Sequence, residues 1–286
     1  MASGVQDPSA VSPRASRGGA FAPALGAIVL WGLLAALAVR LAAVPPFLLT
    51  GAALLVGSLV GARALLRRPP PLAALALGVY GLFGFHFFLF LALRHAPAVE
   101  ANLVNYLWPL LIVVLAPALV PGVRASARHL AAATIGFAGA ALLIAGGGWQ
   151  GGAALGYAFA AASAFIWATY SLLSGRRAGA PTGDVSWFCL VSGVASLACH
   201  FAFEPRYTPA GSDWIWLAVL GVGPMGAAFF LWDRAMKRGD PRVVGNLAYL
   251  TPLLSTTALV VLAGAPLPPV ALPAMALILA GAWLGR

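Results

Sequence analysis

Two stretches of the chain place asparagine, tyrosine and proline inside strongly apolar sequence. In the first, EANLVNYLWPLL, the positions i, i+3, i+4 and i+7 are Asn102, Asn105, Tyr106 and Pro109. These positions share one face of an α-helix, and Trp108 borders that face. Amide and phenol groups can hydrogen-bond a polar solute, and aromatic rings can stack against a planar one. The stripe therefore predicts a surface that binds a small neutral or zwitterionic molecule.

The second stretch repeats part of this pattern half a chain later. In GNLAYLTPLL, Asn246 and Tyr249 are three residues apart and Pro252 follows them. Tyr249 and Pro252 each lie 143 residues after Tyr106 and Pro109. A proline inside a helix removes one backbone hydrogen bond and frees the carbonyl four residues earlier. Both stretches therefore predict helix bends that expose backbone acceptors.

Two interpretations of the stripes remain open. Asparagine and tyrosine inside a membrane often hydrogen-bond a neighbouring helix and serve packing alone. Two stripes at related positions, each with an aromatic ring and a proline, favour the lining of a cavity instead. Further residues predicted to line it are His86, Trp167 and Tyr80, and Pro97 joins Pro109 and Pro252 as a position where a helix can bend.

The composition of the chain identifies the solvent around these stripes. Of the 286 residues, 62% are hydrophobic and 8% are charged, whereas soluble domains carry about 25% charged residues. A soluble fold of this size could not bury so much apolar surface. We therefore predict an all-α polytopic membrane protein. The net charge of +10 is scattered through short loops, which favours membrane lipid over nucleic acid as its partner.

Ten apolar runs are long enough to cross a membrane as helices. Their ranges are 21–39, 46–66, 72–93, 97–120, 129–146, 152–174, 185–203, 214–236, 242–263 and 269–285. The loops between them are short and rich in proline, glycine and arginine, and they leave no space for a soluble domain. The composition of residues 1–20 predicts a disordered tail.

The basic residues predict the orientation, because cytoplasmic loops of membrane proteins carry most of the lysine and arginine. Fourteen of the 17 basic residues fall on one side of the ten predicted spans, and only Arg40, Arg94 and Arg206 fall on the other. Both termini are therefore predicted to be cytoplasmic.

The matches at an offset of 143 residues predict an internal repeat of five spans. An odd number of spans makes the second copy enter the membrane from the opposite side, so the two copies form an inverted 5+5 repeat. The boundaries predicted for the copies are 21–146 and 147–286, after the tail at 1–20. Inverted repeats are typical of secondary transporters, whose substrate sites lie between the copies.

Several functional classes lack their residues in this sequence. Glu100 is interpreted as an anion at a helix N-terminus near Arg94, and Asp233 with Arg234 as an interfacial charge cluster. No acidic residue is then predicted in the middle of a span, which disfavours proton coupling through a buried carboxylate. Neither a GxxxxGK[ST] loop nor an HExxH motif occurs, so we predict no cofactor, no metal and no enzymatic activity.

These features resemble the drug/metabolite transporter superfamily, in particular its EamA-type ten-helix members. The resemblance extends over residues 21–286 and is carried by EANLVNYLWPLLIVV, by VVGNLAYLTPLLSTTALVV and by the five-plus-five organisation. Within the family, NYLWP is most similar to the branch of aromatic amino-acid exporters. The resemblance implies a bacterial inner-membrane exporter with a central cavity. The residues that it implies as substrate-facing are Tyr106, Trp108 and Trp167, with His86 and Asn102 as further candidates.

We therefore predict a secondary transporter that exports amino acids, aromatic ones above all, and related neutral metabolites by alternating access. We expect uncoupled facilitated diffusion by a monomer. One alternative is a proton-coupled drug or metabolite efflux protein that uses His86. An alternative of another class is a non-transporting intramembrane enzyme or a structural membrane protein.

Overall fold

The computed structural model describes residues 18–145, 153–263 and 269–285, and these residues form α-helices without a β-strand. The predicted all-α class is confirmed. In chain order the helices are α1 (Gly18–Gly32), α2 (Leu34–Arg40), α3 (Pro46–Ser58), α4 (Ala62–Leu65), α5 (Leu72–Val79), α6 (Phe85–His95), α7 (Ala98–Asn105), α8 (Trp108–Leu119), α9 (Ala127–Ala145), α10 (Ala154–Gly175), α11 (Asp184–Phe203), α12 (Gly211–Val222), α13 (Ala228–Arg238), α14 (Pro241–Leu247), α15 (Leu250–Ala263) and α16 (Ala271–Leu284).

Helical structure is present in all ten ranges that the sequence predicts as spans. Six segments of the described residues are long and apolar enough to cross a membrane: Pro46–Leu65, Leu72–His95, Ala98–Leu119, Ala154–Gly175, Asp184–Phe203 and Gly211–Arg238. Gly19–Gly32 and Ala271–Leu284 are shorter apolar helices. The tail predicted at residues 1–20 lies mostly outside the described residues, and residues 18–20 already belong to α1.

Helix irregularities recur at matching places in the two halves of the chain. One π-helical turn, Tyr80–Gly84, joins α5 to α6, and another, Gly223–Ala227, joins α12 to α13. The two turns begin 143 residues apart. The break between α7 and α8 is likewise matched by the break between α14 and α15. Such interruptions inside apolar helices are common at functional sites.

The two ends of the helix bundle differ in charge. At one end, Glu204 joins the loop after α11 to the first turn of α3, because its carboxylate accepts hydrogen bonds from the amides of Phe47 and Leu48 at 2.9 and 3.2 Å. Arg94 lies 3.8 Å from the same carboxylate. We call this end, with the loops 41–45, 96–97 and 204–210, the low-charge face. The other end, with the loops 66–71, 120–126, 176–183 and 239–240, carries most of the arginines and lysines and is called the basic face.

Hydrogen bonds also join the loops of the basic face. The Lys237 ammonium donates to the Ala180 carbonyl at 3.2 Å, and the Arg242 guanidinium donates to the Arg124 carbonyl at 2.7 Å. Arg242 also pairs with Asp240, which caps the N-terminus of α14 by accepting from the Arg242 amide. Burial opposes ionisation of Asp240, but hydrogen bonds from Arg242 outweigh it and lower the pKa of the carboxyl.

Close helix contacts hold the bundle together around the cavity described below. The most extensive contacts pair α3 with α11, α9 with α16, α6 with α10, and α1 with α13. Small residues permit the closest approaches: a Cβ added to Gly57 of α3 would lie 2.6 Å from the Met225 carbonyl in the second π-turn. Packing of this kind drives helix association in lipid, where apolar burial between helices has little driving force.

Candidate substrate cavity

A cavity of about 480 Å³ lies between the two halves of the chain. Its volume is within the range of about 300–1,000 Å³ that is usual for small-molecule sites. The lining residues are Trp31, Leu34, Leu41, Ala42, Val44, Pro46, Leu49, Thr50, Phe85, His86, Leu89, Phe90, Leu93, Asn102, Asn105, Tyr106, Trp108, Trp167, Leu220, Met225, Phe229, Thr251 and Ser255. The lining reaches the loop at 41–45 and the last turn of α6, so the cavity extends to the low-charge face.

The break between α7 and α8 positions two of the predicted binding residues. α7 ends at Asn105, residues 106–107 form a turn, and α8 begins at Trp108. Pro109 has no amide hydrogen to donate to the Asn105 carbonyl, so the helix cannot continue through this point with regular hydrogen bonds. The Leu107 amide instead donates to Val104, three residues earlier, at 3.1 Å. Tyr106 and Trp108 consequently line the cavity from an interrupted helix.

Five aromatic side chains close the deep end of the cavity, and we call this cluster the aromatic floor. Its members are Trp31, Trp108, Trp167, Phe229 and Trp232. Their ring centroids lie 5.2–6.5 Å apart, mostly in edge-to-face or tilted pairs. Aromatic pairs favour these distances and angles. A planar aromatic ligand that enters from the low-charge face would meet ring faces and edges at this floor.

Hydrogen bonds fix the orientation of two of these indoles. The Trp31 indole donates to the Pro224 carbonyl at 3.1 Å. That carbonyl belongs to the second π-turn, so the irregular backbone supplies an acceptor to the floor. The Trp232 indole donates to the Ser171 hydroxyl at 2.9 Å. Polar groups on neighbouring segments therefore hold two of the five rings of the floor in place.

The polar groups of the cavity are amides, hydroxyls and one imidazole. The side-chain oxygen of Asn105 accepts from the Ser163 hydroxyl at 3.1 Å. The His86 ring nitrogen Nδ1 lies 2.6 Å from the Leu82 carbonyl one turn earlier in the same helix. The Thr251 hydroxyl is buried without a hydrogen-bond partner among the described residues. No Asp, Glu, Lys or Arg is among the described residues that line the cavity.

The structure brings five of the residues predicted for the binding site together. Tyr106, Trp108, Trp167, Asn102 and His86 all line the cavity. They come from α6, α7, α8 and α10 and from the turn between α7 and α8.

Three other predicted binding residues lie away from the cavity. Asn246 is 1% exposed and its amide donates to the His129 carbonyl at 3.5 Å. Tyr249 lies in the turn between α14 and α15 and is fully buried against Phe137 of α9. Tyr80 is 38% exposed on the outside of the bundle, where its hydroxyl lies 2.8 Å from that of Thr169. In this conformation the second stripe therefore packs against neighbouring helices.

The predicted bend positions coincide with helix ends and breaks. Pro97 is the N-cap of α7, Pro109 is the second residue of α8, and Pro252 is the third residue of α15. The carbonyl of Ala248, which Pro252 leaves free, accepts instead from the Thr251 amide at 3.0 Å. Whether these positions move during a functional cycle stays a prediction.

Sequence reasoning missed several residues of the cavity and its floor. Trp31, Trp232 and Phe229 were not among its candidates, although all three belong to the aromatic floor. The available signal was a tryptophan in the middle of an aliphatic span, since tryptophan in membrane proteins is enriched at the interfaces. Thr50 and Thr251 gave no signal, because a threonine in an apolar helix often hydrogen-bonds its own backbone.

Two acidic residues have surroundings that the sequence did not indicate fully. Glu100 is 1% exposed and accepts a hydrogen bond from the Tyr157 hydroxyl, while Arg94 lies near Glu204. The interfacial position of Asp233 stays a prediction, but the residue is buried, at 2% exposed, whereas its neighbour Arg234 is exposed. The cause of this burial is the contact between α10 and α13, which covers the carboxylate with Ser174 and Lys237.

Comparisons with known proteins agree with this architecture. The EamA-like transporter family matches the chain twice, over residues 19–145 and 154–285. The chain is 47% identical over 268 residues to the aromatic amino acid exporter YddG of Ancylobacter novellus, across 90% of this chain and 93% of that protein. It is 27% identical to the aromatic amino acid exporters YddG of Escherichia coli and Salmonella typhimurium, across 62% of each of the chains compared.

A solved crystal structure has the same fold. It superposes with a TM-score of 0.90 at 44% sequence identity, over 95% of this chain and 97% of the other. The two family matches together span nearly all of the described residues. The chain is a multi-pass membrane protein that belongs to the EamA-like transporter family.

Proposed function

We propose that this protein exports aromatic amino acids and related neutral metabolites across the bacterial inner membrane by alternating access. The observation that carries the proposal is the cavity of about 480 Å³, which combines an aromatic floor with uncharged polar groups. An aromatic ring fits the floor, and the amides and hydroxyls above it suit the ammonium and carboxylate of a zwitterion. The name of the relative from Ancylobacter novellus supports the same class of substrate.

Named residues have distinct roles in this proposal. Tyr106, Trp108 and Trp167 contact the ring, and Asn102 hydrogen-bonds the polar end of the substrate. Asn246 and Tyr249 contact the substrate only when the transporter is open to the basic face. The side-chain oxygen of Asn246 is buried without a hydrogen-bond partner among the described residues, which supports a contact made in another conformation.

The proposed membrane arrangement has ten spans in an inverted 5+5 repeat with both termini in the cytoplasm. The π-turns and helix breaks at matching places in the two halves support the repeat. The excess of arginine and lysine at the basic face supports a cytoplasmic location for that face. The cavity then opens to the periplasm, and the aromatic floor separates it from the cytoplasm. We further propose a working monomer, since both halves of the cavity come from one chain.

We propose that transport is not coupled to protons and that the protein has no enzymatic activity. The absence of Asp and Glu from the described cavity lining supports uncoupled transport, because proton relays in transporters are built on such groups. His86 is the titratable imidazole in this lining, and proton-coupled efflux would depend on it.

Uptake into proteoliposomes tests the proposed function. The purified protein is reconstituted into proteoliposomes, and pH and membrane voltage are clamped. Uptake of labelled tryptophan, phenylalanine, threonine and a quaternary ammonium compound is then measured. We expect saturable entry of tryptophan and phenylalanine without any ion gradient, and little entry of the quaternary ammonium compound. Uptake that begins only when a proton gradient is imposed would contradict uncoupled transport. Failure to carry either aromatic amino acid under any gradient would contradict the substrate class.

A further inference from the structure

A ladder of hydrogen bonds joins α10 to α13 directly below the aromatic floor. Its first step is the bond from the Trp232 indole to Ser171. One turn further toward the basic face, the Ser174 hydroxyl donates to Asp233 Oδ1 at 2.9 Å. Lys237 Nζ then donates to Asp233 Oδ2 at 2.7 Å and to the Ala180 carbonyl at 3.2 Å. The ladder therefore runs from the floor to the loop 176–183 on the basic face.

The charges of this ladder are buried and balanced. The side chains of Asp233 and Lys237 are 1% and 8% exposed. Desolvation of two such ions cancels much of their mutual attraction, so a buried pair adds little net stability, whereas removal of one partner leaves an uncompensated charge. The pair itself lies within α13, and the bonds that cross to α10 and the loop after it are those from Ser174 to Asp233 and from Lys237 to the Ala180 carbonyl. Opening of this interface would break the two crossing bonds and expose both ions to water.

The ladder lies between two cavities. Above it is the aromatic floor of the large cavity. Below it is a pocket of about 180 Å³ near the basic face, lined by Val120, Leu172, Gly175, Met236, Lys237, Gly239 and Pro241. Lys237 belongs to both the ladder and this pocket. Separation of α10 from α13 at Ser174 and Asp233 would join the two cavities into one path.

We propose that Ser174, Asp233 and Lys237 form the latch that holds the transporter closed on its basic face. The inference rests on the proposed transport function and assigns it a gate. In the cycle, the Asp233–Lys237 pair parts from Ser174 and the Ala180 carbonyl, water reaches both ions, and the substrate gains access from the basic face. When the latch closes again, the cavity is open to the low-charge face.

The test measures access to the gate without any substrate. Cys189 and Cys199 are first replaced by alanine, and Leu172→Cys then reports on the latch itself, because Leu172 lies between Ser171 and Ser174 on α10 and is fully buried while the latch is closed. Phe90→Cys, on the lining near the low-charge face, reports on the other mouth. A membrane-impermeant methanethiosulfonate reagent is applied to inverted vesicles for the first reporter and to right-side-out vesicles for the second.

Weakening the latch should change the labelling rates of the two reporter cysteines in opposite directions. With Asp233→Asn or Lys237→Met, the remaining ion is buried without its partner in the closed state, which destabilises the closed state relative to the open one. We therefore expect labelling of Leu172→Cys to become about tenfold faster or more. Labelling of Phe90→Cys should become slower. Ser174→Ala, which removes one hydrogen bond and no charge, should give a smaller shift of the same sign and remains informative if the charge variants fail to fold.

Two controls separate a gate from a structural contact. Lys237→Arg keeps the positive charge, so both reporter cysteines should be labelled at nearly the parental rates in this variant. Arg238→Met removes an exposed charge from the same helical turn and should not change either reporter. Unchanged labelling in all latch variants would overturn the proposal, and so would faster labelling of both reporters, which indicates general loosening. Because no substrate is present, a failure of amino-acid transport leaves this result unaffected.

Discussion

Trp108 owes its place in the cavity to a proline one residue later. Pro109 ends the regular hydrogen bonding of α7, and α8 starts afresh at Trp108, whose ring lies 5.5 Å from that of Trp232 and 6.3 Å from that of Trp31. The indole is 6% exposed and lines the cavity. A side chain held in this way is available to a ligand and also completes the floor on which the ligand rests.

Replacement of this indole tests its role at the cavity floor. We expect Trp108→Ala to lower the efficiency of tryptophan uptake into proteoliposomes about tenfold, as expected for the loss of one or two aromatic contacts. Trp108→Phe should retain most of the activity. Trp283→Ala serves as the control, because Trp283 is 67% exposed on α16. Equal uptake by Trp108→Ala and the parent protein would remove Trp108 from the site.

His86 distinguishes uncoupled transport from a proton-coupled mechanism. Its imidazole hydrogen-bonds the backbone of its own helix and faces a lining without carboxylates in the described residues. We therefore expect His86→Gln to keep gradient-free uptake of tryptophan at a similar maximal rate, with any change confined to the apparent affinity. Proteoliposome uptake at two fixed pH values, each with and without an imposed proton gradient, measures this. A variant that loses transport, together with a parent whose rate follows the proton gradient, would support the coupled alternative.

The sequence predicted part of the site because these residues share one short motif. Asn102, Tyr106 and Trp108 lie within seven positions of one predicted span, so the periodicity of a helix predicts that they lie close together, and they do so although a break separates α7 from α8. Trp31 comes from a helix far away in sequence, and its contact with the floor depends on how α1 packs on α13, which periodicity does not describe. The second stripe has the same residue types as the first, but the present conformation packs Asn246 and Tyr249 against α9.

At the scale of elements, helix interruptions place backbone acceptors next to the cavity. The π-turn Gly223–Ala227 supplies the Pro224 carbonyl to Trp31, and the break before α8 positions Tyr106. The sequence predicted the breaks, because a proline inside a helix has a known consequence. It did not predict the π-turns, since their extra residue per turn has no requirement for a particular residue type.

The start of α14 provides a test of element stability. Asp240 caps this helix and forms an ion pair with Arg242. We expect Asp240→Ala to destabilise the protein by about 1 kcal/mol, as for the loss of other N-caps. The resulting decrease in Tm should be a few degrees in detergent solution. Asp240→Asn keeps a side-chain oxygen that can cap the helix, so its stability should decrease less than that of Asp240→Ala.

The pH dependence of this effect follows from the lowered pKa of Asp240. A carboxyl whose pKa is lower in the folded state stabilises the fold at neutral pH, and the contribution is lost as pH falls through that pKa. The difference in Tm between the parent and Asp240→Ala should therefore shrink in acid. A difference that grows as pH falls would contradict the ion pair.

At the scale of the whole molecule, the structure is open on one face and closed on the other. The large cavity reaches the low-charge face, while the aromatic floor and the ladder between α10 and α13 close the basic face. Composition and charge predicted the helical membrane fold, because a segment that crosses lipid must be apolar over its length and because basic residues are concentrated in the cytoplasmic loops. They could not predict which face is open, since two such states of one sequence differ by only a few kcal/mol.

The central claim is that aromatic amino acids occupy the large cavity. Ser255 lines it on α15, and Ser255→Cys changes its side chain by one atom, in a protein whose two native cysteines are replaced by alanine. The measurement is the labelling rate of this cysteine by a small thiol reagent applied to the low-charge face, at increasing concentrations of tryptophan. We predict labelling without substrate and saturable protection by tryptophan and phenylalanine but not by glutamate. Labelling that tryptophan leaves unchanged, in a protein that still transports it, would show that the substrate binds elsewhere.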